Sequence, residues 1–502
     1  MASRSKRFIL GVASGYGFIA VNIAYTMLSI PLALHYLGKE EFGLWALALQ
    51  ISGYLMLLDL GMSSAVSRFI ANHKDDVNGG EYGSLLLTGG IVFLIQGAMI
   101  ALIGAVFSWF AGTLFAVPEH LQEDFRNVLI ILTSLSGLSI AFRSFGAPLW
   151  AFHRIDVANG LGIFTLTSSL ATLWIGFHFG WGIYSFACAG IPALLVCPGI
   201  AGLICWKQGF YPSSGCWGRP RWSIFFQVFG FGKDVLLMSL GSQLVNASQI
   251  IIISRVAGLD AAATFAIGTK LFTMGQQFTS KVLESSAPAL TEMLVRGDTA
   301  RFNHRFWNIF GITTFLATLG ACGLVVGNSA FLQLWTSGAI HWSLTADALL
   351  AGLLIATSMT RCFIGIFVMS GNLRPVRSIY FLEGCTFVAL AIPAGTHFEI
   401  VGVLAVSLFT HVLVTGLLSL CAGSRVLTSS MSLAHLALAP IAITAIALAI
   451  SFSIAACATN PIFALAATPI IVAFCASVAW FLLLTPPLRA EFASKAQQLF
   501  GK

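Results

Sequence analysis

The chain has 502 residues, of which 57% are apolar and only 9% are charged, and its net charge is +7. Soluble globular chains carry about 25% charged residues, so a water-soluble enzyme or scaffold is excluded, and the long apolar runs do not fit the short alternating strands of a β-barrel. The positive charge is spread through short loops between apolar runs, which argues against a nucleic-acid partner.

Apolar stretches of about 20 residues, each long enough to cross a ~30 Å hydrocarbon core, recur from end to end. They predict an all-α polytopic membrane protein with about 14 transmembrane helices. The N-terminal MASRSKRF is basic, and the apolar run from Phe8 to Leu34 is too long for a signal-peptide core, so it reads as an uncleaved first helix. Its polar residues Asn22, Tyr25 and Ser29 line up at i, i+3 and i+7. They suit either hydrogen bonds to sugar hydroxyls or contacts between helices.

The second span contains YLMLLDLGMSSAVSRFIANHK, residues 54–74, with Asp59 among apolar residues and a cationic tail from Arg68 to Lys74. A carboxylate at that depth is costly unless it faces protein, water or a counter-charge. Asp59 therefore reads either as a coupling site that binds a proton or cation, or as a packing anchor bonded to backbone or to a base such as Arg143.

Arg143 falls in the fourth span and Arg361 in the tenth. Each lies roughly ten residues before its next cytoplasmic turn, about 15 Å along a helix and half of the ~30 Å core. Two guanidiniums at matched depth suit a phosphate or pyrophosphate, which Arg binds bidentately. The competing reading pairs each Arg with a carboxylate or with carbonyls in its own bundle. In the eighth span, Lys270, Gln277, Lys281 and Glu284 fall within about 60° of one another on a helix. That stripe faces water or protein, and Lys281 and Glu284 stand at the i,i+3 spacing of a self-contained ion pair. In the seventh span Ser242, Asn246 and Gln249 form another neutral polar face. Glu383 and Arg255 fall near span ends, where their heads are expected to snorkel toward water.

Two overlays indicate an internal repeat. HYLGKEEFGLWA (35–46) slides onto RVAGLDAAATFA (255–266), placing Gly38 on Gly258. AFRSFGAPLWAFHRIDVAN (141–159) slides onto MTRCFIGIFVMSGNLRPVR (359–377), placing Arg143 on Arg361. The nearly equal offsets predict two six-helix lobes related by a pseudo-twofold axis along the membrane normal, around a central cavity. The expected division is an N-terminal lobe 1–206, a cytoplasmic linker 207–233, a C-terminal lobe 234–424, and helices 13–14 with a cytoplasmic tail in 425–502. With the N-terminus in the cytoplasm, the cytoplasmic loops hold most of the 26 basic residues, while Lys39 and Arg126 alone fall on the opposite side. This asymmetry sets both termini in the cytoplasm.

No catalytic constellation stands out. HExxH, GxSxG and Walker-type glycine loops are absent, and His35, His73, His120 and His153 sit in loops or at span ends without metal spacing. No enzyme activity, cofactor or metal is expected. The ten cysteines form no CxxC pair.

The stretch 30–74 carries Pro31, Leu37-Gly38, Phe42-Gly43-Leu44-Trp45, Asp59-Leu60-Gly61 and Arg68, and the fourth span ends in GAPLWAFHRIDVAN. In these residues the chain resembles the polysaccharide and O-antigen flippase family of the multidrug/oligosaccharidyl-lipid/polysaccharide exporter superfamily. The resemblance implies translocation of a polyprenyl-diphosphate-linked oligosaccharide across the bacterial inner membrane by alternating access. It also implies a cationic cavity, for which Arg143, Lys270, Lys281 and Arg361 are the local candidates, with Asn22, Tyr25 and Asn246 able to meet sugar hydroxyls. Asp59 and Glu284 would couple transport or support the structure. The expected partners are the lipid-linked oligosaccharide, membrane lipids, and a glycan polymerase with other polysaccharide assembly proteins.

Three alternatives stay open. A drug/cation antiporter of the same superfamily would have an acidic cavity, whereas here the intramembrane bases Arg143, Arg255, Lys270, Lys281 and Arg361 outnumber the acids Asp59, Glu284 and Glu383. A peptidoglycan-precursor flippase would share the cationic cavity. A membrane glycan polymerase would need a large extracytoplasmic loop, and the stretches 109–126 and 330–347 are too short for one.

Overall fold

In a computed structural model the described residues are 2–152, 154–419, 441–447, 449–450 and 461–484, with a few more between 486 and 494. Among them the chain is all helical, and 11 segments are long and apolar enough to cross a membrane. Two of these, Trp222–Val295 with 74 residues and Arg374–Ser419 with 46, are too long for one crossing. The first contains non-helical Gly258 (φ 86, ψ 175) and the second non-helical Glu399 (φ 48, ψ −127). Taken as two crossings each, they leave only the expected span near residue 446, which lies largely outside the described residues, as does the C-terminal tail.

The helices are α1 (Ala2–Tyr36), α2 (Lys39–Leu55), α3 (Met62–Asn72), α4 (Glu81–Leu114), α5 (Gln122–Ala141), α6 (Arg143–Ala151), α7 (Ile155–His178), α8 (Tyr184–Cys188) and α9 (Ile191–Lys207). They continue with α10 (Trp222–Gly268), α11 (Lys270–Val295), α12 (Thr299–Trp335), α13 (Leu344–Met369), α14 (Arg374–Thr410), a π-helical turn (His411–Gly416) and α15 (Pro461–Leu483). The repeat is visible in the backbone. Gly38, extended at φ −68 and ψ 162, separates α1 from α2, and Gly258 breaks α10 at the overlaid position. The second overlay is looser, because Arg143 opens a new helix whereas Arg361 lies inside the unbroken α13.

Contacts divide the chain into two compact units, Met1–Ala263 and Thr264–Lys502. In the first unit, α4 and α5 cross so closely that a Cβ on Gly97 would stand 2.3 Å from the Gly137 carbonyl, and the reverse holds for Gly137. Small residues that let backbones touch are the usual contact of helices in lipid, where dispersion replaces the hydrophobic drive. The outer face of α4 is apolar, with Leu94, Leu102 and Phe110 exposed as befits contact with lipid tails. The stretch 207–233 is strapped to α4. Tyr82 donates to the Phe210 carbonyl, Ser213 N–H donates to Asn78, and Arg219 and Arg221 N–H donate to the hydroxyls of Ser84 and Thr88. From Trp222 the chain is already α10, and its Gln243 and Ser248 both bond Tyr54 of α2. Most of α10 therefore packs with the first unit.

In the second unit, α12 packs against α11, α13 and α15. Its Phe302, Phe306 and Phe310 stack in sequence, and Phe306 and Phe310 meet Phe363 edge-on. At the other end a buried polar clamp closes the bundle. Asn328 donates to Asp347 Oδ1 (2.6 Å) and to the Gly268 carbonyl (3.2 Å), and Trp342 Nε1 donates to the same Asp347 oxygen (2.8 Å). Asp347 is fully buried. Asp347→Ala orphans two donors, and each buried unpaired group costs ~1–3 kcal/mol. A clear fall in the thermal unfolding midpoint of the detergent-purified protein is the expected result; an unchanged midpoint would show that the clamp contributes nothing.

Candidate functional site

The second span does not run through as one helix. After α2 the backbone tightens into a 3₁₀ turn, Met56–Asp59, and then Leu60 (φ 52) and Gly61 (φ 70) both enter the left-handed region before α3 begins. Such a break frees backbone groups that lipid cannot satisfy. Two side chains supply the missing partners. Gln96 of α4 donates to the Asp59 carbonyl at 2.7 Å. The Asp59 carboxylate accepts from the Ser63 hydroxyl at 2.6 Å and from the Ser63 N–H at 3.4 Å, so it caps the first turn of α3 at the positive end of the helix dipole.

The fourth span breaks as well, at Phe142, and Arg143 is the first residue of α6. Its Nη1 donates to Ser63 Oγ at 2.7 Å. Ser63 spends its hydrogen on Asp59 and accepts from Arg143, so carboxylate and guanidinium are joined through one hydroxyl. The Arg68 guanidinium sits 4.7 Å above the Phe231 ring, a cation–π contact that gives this base a place on α10. Arg154, in the motif at the end of this segment, forms a two-pronged bond with Asp156, both prongs at 3.0 Å.

Arg143 lies on the wall of a cavity of about 1050 Å³ within the first unit. Hydroxyls of Tyr25, Ser63, Ser64, Ser67, Ser136 and Ser139 share that wall with the aromatic faces of Trp45, Phe142, Trp150 and Phe186. The volume exceeds a drug-sized pocket. One guanidinium among hydroxyls and aromatic rings can hold an anionic group and stack against sugar faces.

The structure places the other sequence-predicted residues as follows. Asn22 lies one turn before Tyr25 on α1, half-buried. Asn246 is exposed and donates to the carbonyl and hydroxyl of Ser242, one turn back on its own helix. In the second unit, Arg361 is exposed on α13, and Lys270 is half-buried as the first residue of α11. Lys281 and Glu284 pair at 2.7 Å, both about half exposed, as their i,i+3 spacing foresaw.

Glu383 departs from expectation. It does not snorkel at a span end but is 3% exposed in the middle of α14. Its Oε1 lies 2.8 Å from His411 Nδ1, and its Oε2 accepts from Thr415. Hydropathy treats His411 as a blemish in an apolar run. An ionisable pair on consecutive spans was the signal that could have found it. Among the described residues no group of three or more His, Cys, Asp or Glu could hold a metal ion.

Several solved structures share this fold. An inward-facing multidrug resistance MATE family transporter of the MOP superfamily matches with a TM-score of 0.69 and 12% identity, over 81% of this chain and 94% of its own. The lipid II flippase MurJ in an inward closed conformation matches with a TM-score of 0.69 and 13% identity, over 94% of this chain and 98% of its own. The Vibrio cholerae MATE transporter VcmN in the bent form matches with a TM-score of 0.52 and 15% identity, over 83% of this chain and all of its own. At these identities the likeness is one of fold. No curated protein matches the chain closely. A family model described as polysaccharide biosynthesis protein matches residues 14–294, a stretch that holds the broken second and fourth spans and the whole Arg143 cavity wall, and the chain therefore belongs to that family.

Proposed function

We propose that the protein is a flippase that moves a polyprenyl-diphosphate-linked oligosaccharide across the bacterial cytoplasmic membrane by alternating access, for O-antigen, capsule or exopolysaccharide assembly. The observation that carries this reading is the Arg143 cavity. A sugar-diphosphate head cannot cross hydrocarbon uncompensated. A wall combining a guanidinium, serine hydroxyls and aromatic faces meets its charge, its hydroxyls and its ring faces together. The polyprenyl tail needs no pocket, because it stays in the bilayer while the head is moved.

Arg143 meets the diphosphate in the first unit and Arg361 plays the same part in the second. Tyr25 offers its hydroxyl to the sugars, and Asp59 holds Ser63 so that Arg143 is aimed. Transport needs no covalent step. Both termini lie in the cytoplasm, and the exported glycan passes to a polymerase and its assembly partners. A drug cargo fits poorly, since those candidates are cationic and this wall carries a fixed cation. Deleting the gene and separating the membrane's lipid-linked sugars by mass tests the reading. A polyprenyl-diphosphate oligosaccharide should accumulate on the cytoplasmic leaflet. Accumulation of a peptidoglycan precursor instead, or of no lipid-linked sugar, would refute it.

A further inference from the structure

Three elements of the second unit converge on a polar centre that the cargo reading leaves unused. Glu383 of α14 is 3% exposed, and His411, the first residue of the π-helical turn, is 9% exposed. Their Oε1 and Nδ1 atoms are 2.8 Å apart. Thr415 donates to the other carboxylate oxygen, and His411 Nε2 lies 2.8 Å from Thr360 Oγ1 of α13. All four polar ends are thus engaged, and the π-helical turn carries both His411 and Thr415. Such turns gather at functional sites.

The hydroxyls limit where hydrogens can be. Thr360 Oγ1 lies 2.9 Å from the Ala356 carbonyl and 2.8 Å from His411 Nε2: with its hydrogen on the carbonyl, Nε2 carries a hydrogen and donates to Thr360, and with its hydrogen on Nε2 the ring hydrogen sits on Nδ1. Thr415 gives its hydrogen to the carboxylate. In the first arrangement the contact between Nδ1 and Oε1 needs one further proton, held by the ring or by the carboxyl. With that proton the pair is neutral overall. Without it the apolar interior holds a bare negative charge, and a second proton makes a bare positive one. A buried ion pair is a weak stabiliser compared with apolar packing. Inside a bilayer, linked Glu and His side chains mark proton paths.

The neighbouring charged and titratable groups are few among the described residues. On α13, Arg361 and Cys362 follow Thr360 directly, and Asp347 stands about 20 Å away near the start of the helix. On α14, Tyr380 lies within electrostatic range of both Arg361 and Glu383. Arg374 and Arg377 precede it, and Cys385, His397 and Glu399 follow. The π-helical turn adds no other titratable group.

We propose that the Glu383–His411 pair is a protonation site that takes one proton from water and returns one to water in each transport cycle, coupling the flippase to the proton gradient. Uptake adds the proton to Oε1 or Nδ1 of the deprotonated pair, release removes it, and no other bond changes. The coupling rests on the flippase reading; the proton binding does not.

The test uses full-length protein in proteoliposomes, with undecaprenyl-diphosphate-GlcNAc as the probe and the membrane potential clamped at zero by valinomycin and equal potassium. For one coupled proton, a gradient of about one pH unit should skew the probe's steady-state distribution about tenfold. E383Q and H411Q should let the probe equilibrate evenly, while E383D, which keeps the titrating group, should retain the skew. An even distribution in wild type that does move the probe, or an undiminished skew in both E383Q and H411Q, overturns the proposal and leaves the flippase reading intact. If wild type does not move the probe, the flippase reading fails, and infrared difference spectra of the same membranes between about pH 5 and about pH 9 decide the proton site. A carboxyl band present in wild type and missing from E383Q supports it, and identical spectra overturn it. The infrared comparison also covers a glutamine variant that folds poorly, because E383D provides a folded control.

Discussion

Alanine at both Arg143 and Arg361 is expected to lower glycan export by about a hundredfold or more while the protein persists in the membrane. On the proposed reading each guanidinium would make a charge-assisted bond worth ~1.5–3 kcal/mol to a phosphate, and ~1.4 kcal/mol is a factor of ten. Neither arginine sits in a packed core: both are exposed, and Arg143 donates to the half-buried Ser63. Removing them should therefore spare folding. The measurement is surface glycan in a deletion strain carrying the variant, normalised to membrane protein by immunoblot. Normal export from the double variant would rule out a diphosphate clamp. Lysine at both positions should recover only part of the activity, because an ammonium keeps the charge but loses the planar fork.

Gly61→Val should cost more than any other single change considered, and should do so through the fold. Gly61 is left-handed at φ 70, which a β-branched residue tolerates poorly. Its Cβ would also stand 2.5 Å from the Gly232 carbonyl and 2.8 Å from Val235 Cβ on α10. Backbone strain of ~1–3 kcal/mol adds to overpacking of similar size. The break that lets Asp59 cap α3 would be lost with it. Little folded protein should survive detergent extraction, judged by size-exclusion elution and unfolding midpoint. A monodisperse variant of ordinary stability would mean that α3 and α10 can separate without harm.

Much of this was legible in the sequence. Run length gave the spans, and two glycines 220 residues apart gave the first joint of each repeat. The link between Asp59 and Arg143 was one of the readings left open, and the structure adds Ser63 as the hydroxyl between them. Lys281 and Glu284 were readable because helix geometry alone brings i and i+3 together. The break itself was hidden, because Leu60 takes a left-handed conformation that leucine does not advertise, at a place where the chain passes close against Gly232 of α10. Glu383 was misplaced for a related reason. Its partner stands 28 residues later on the next span, and no local pattern joins the two. The hold on Arg219 and Arg221 was hidden too, since hydropathy registers the turn residues near 215 but not the hydroxyls of Ser84 and Thr88 that grip the backbone after them.

Those two hydroxyls have a consequence for how such a chain can vary. They grip the backbone at Arg219 and Arg221, and α10 starts at the next residue, with its rotation already set by Gly232 lying on Gly61. There is no slack between the latch and the first helical turn. An insertion of one residue just after Arg221 would swing the whole of α10 by about 100° and carry Gly232 off its mark. The tether's length is therefore fixed, and so is Gly218 within it, whose added Cβ would stand 2.3 Å from the Gly80 carbonyl.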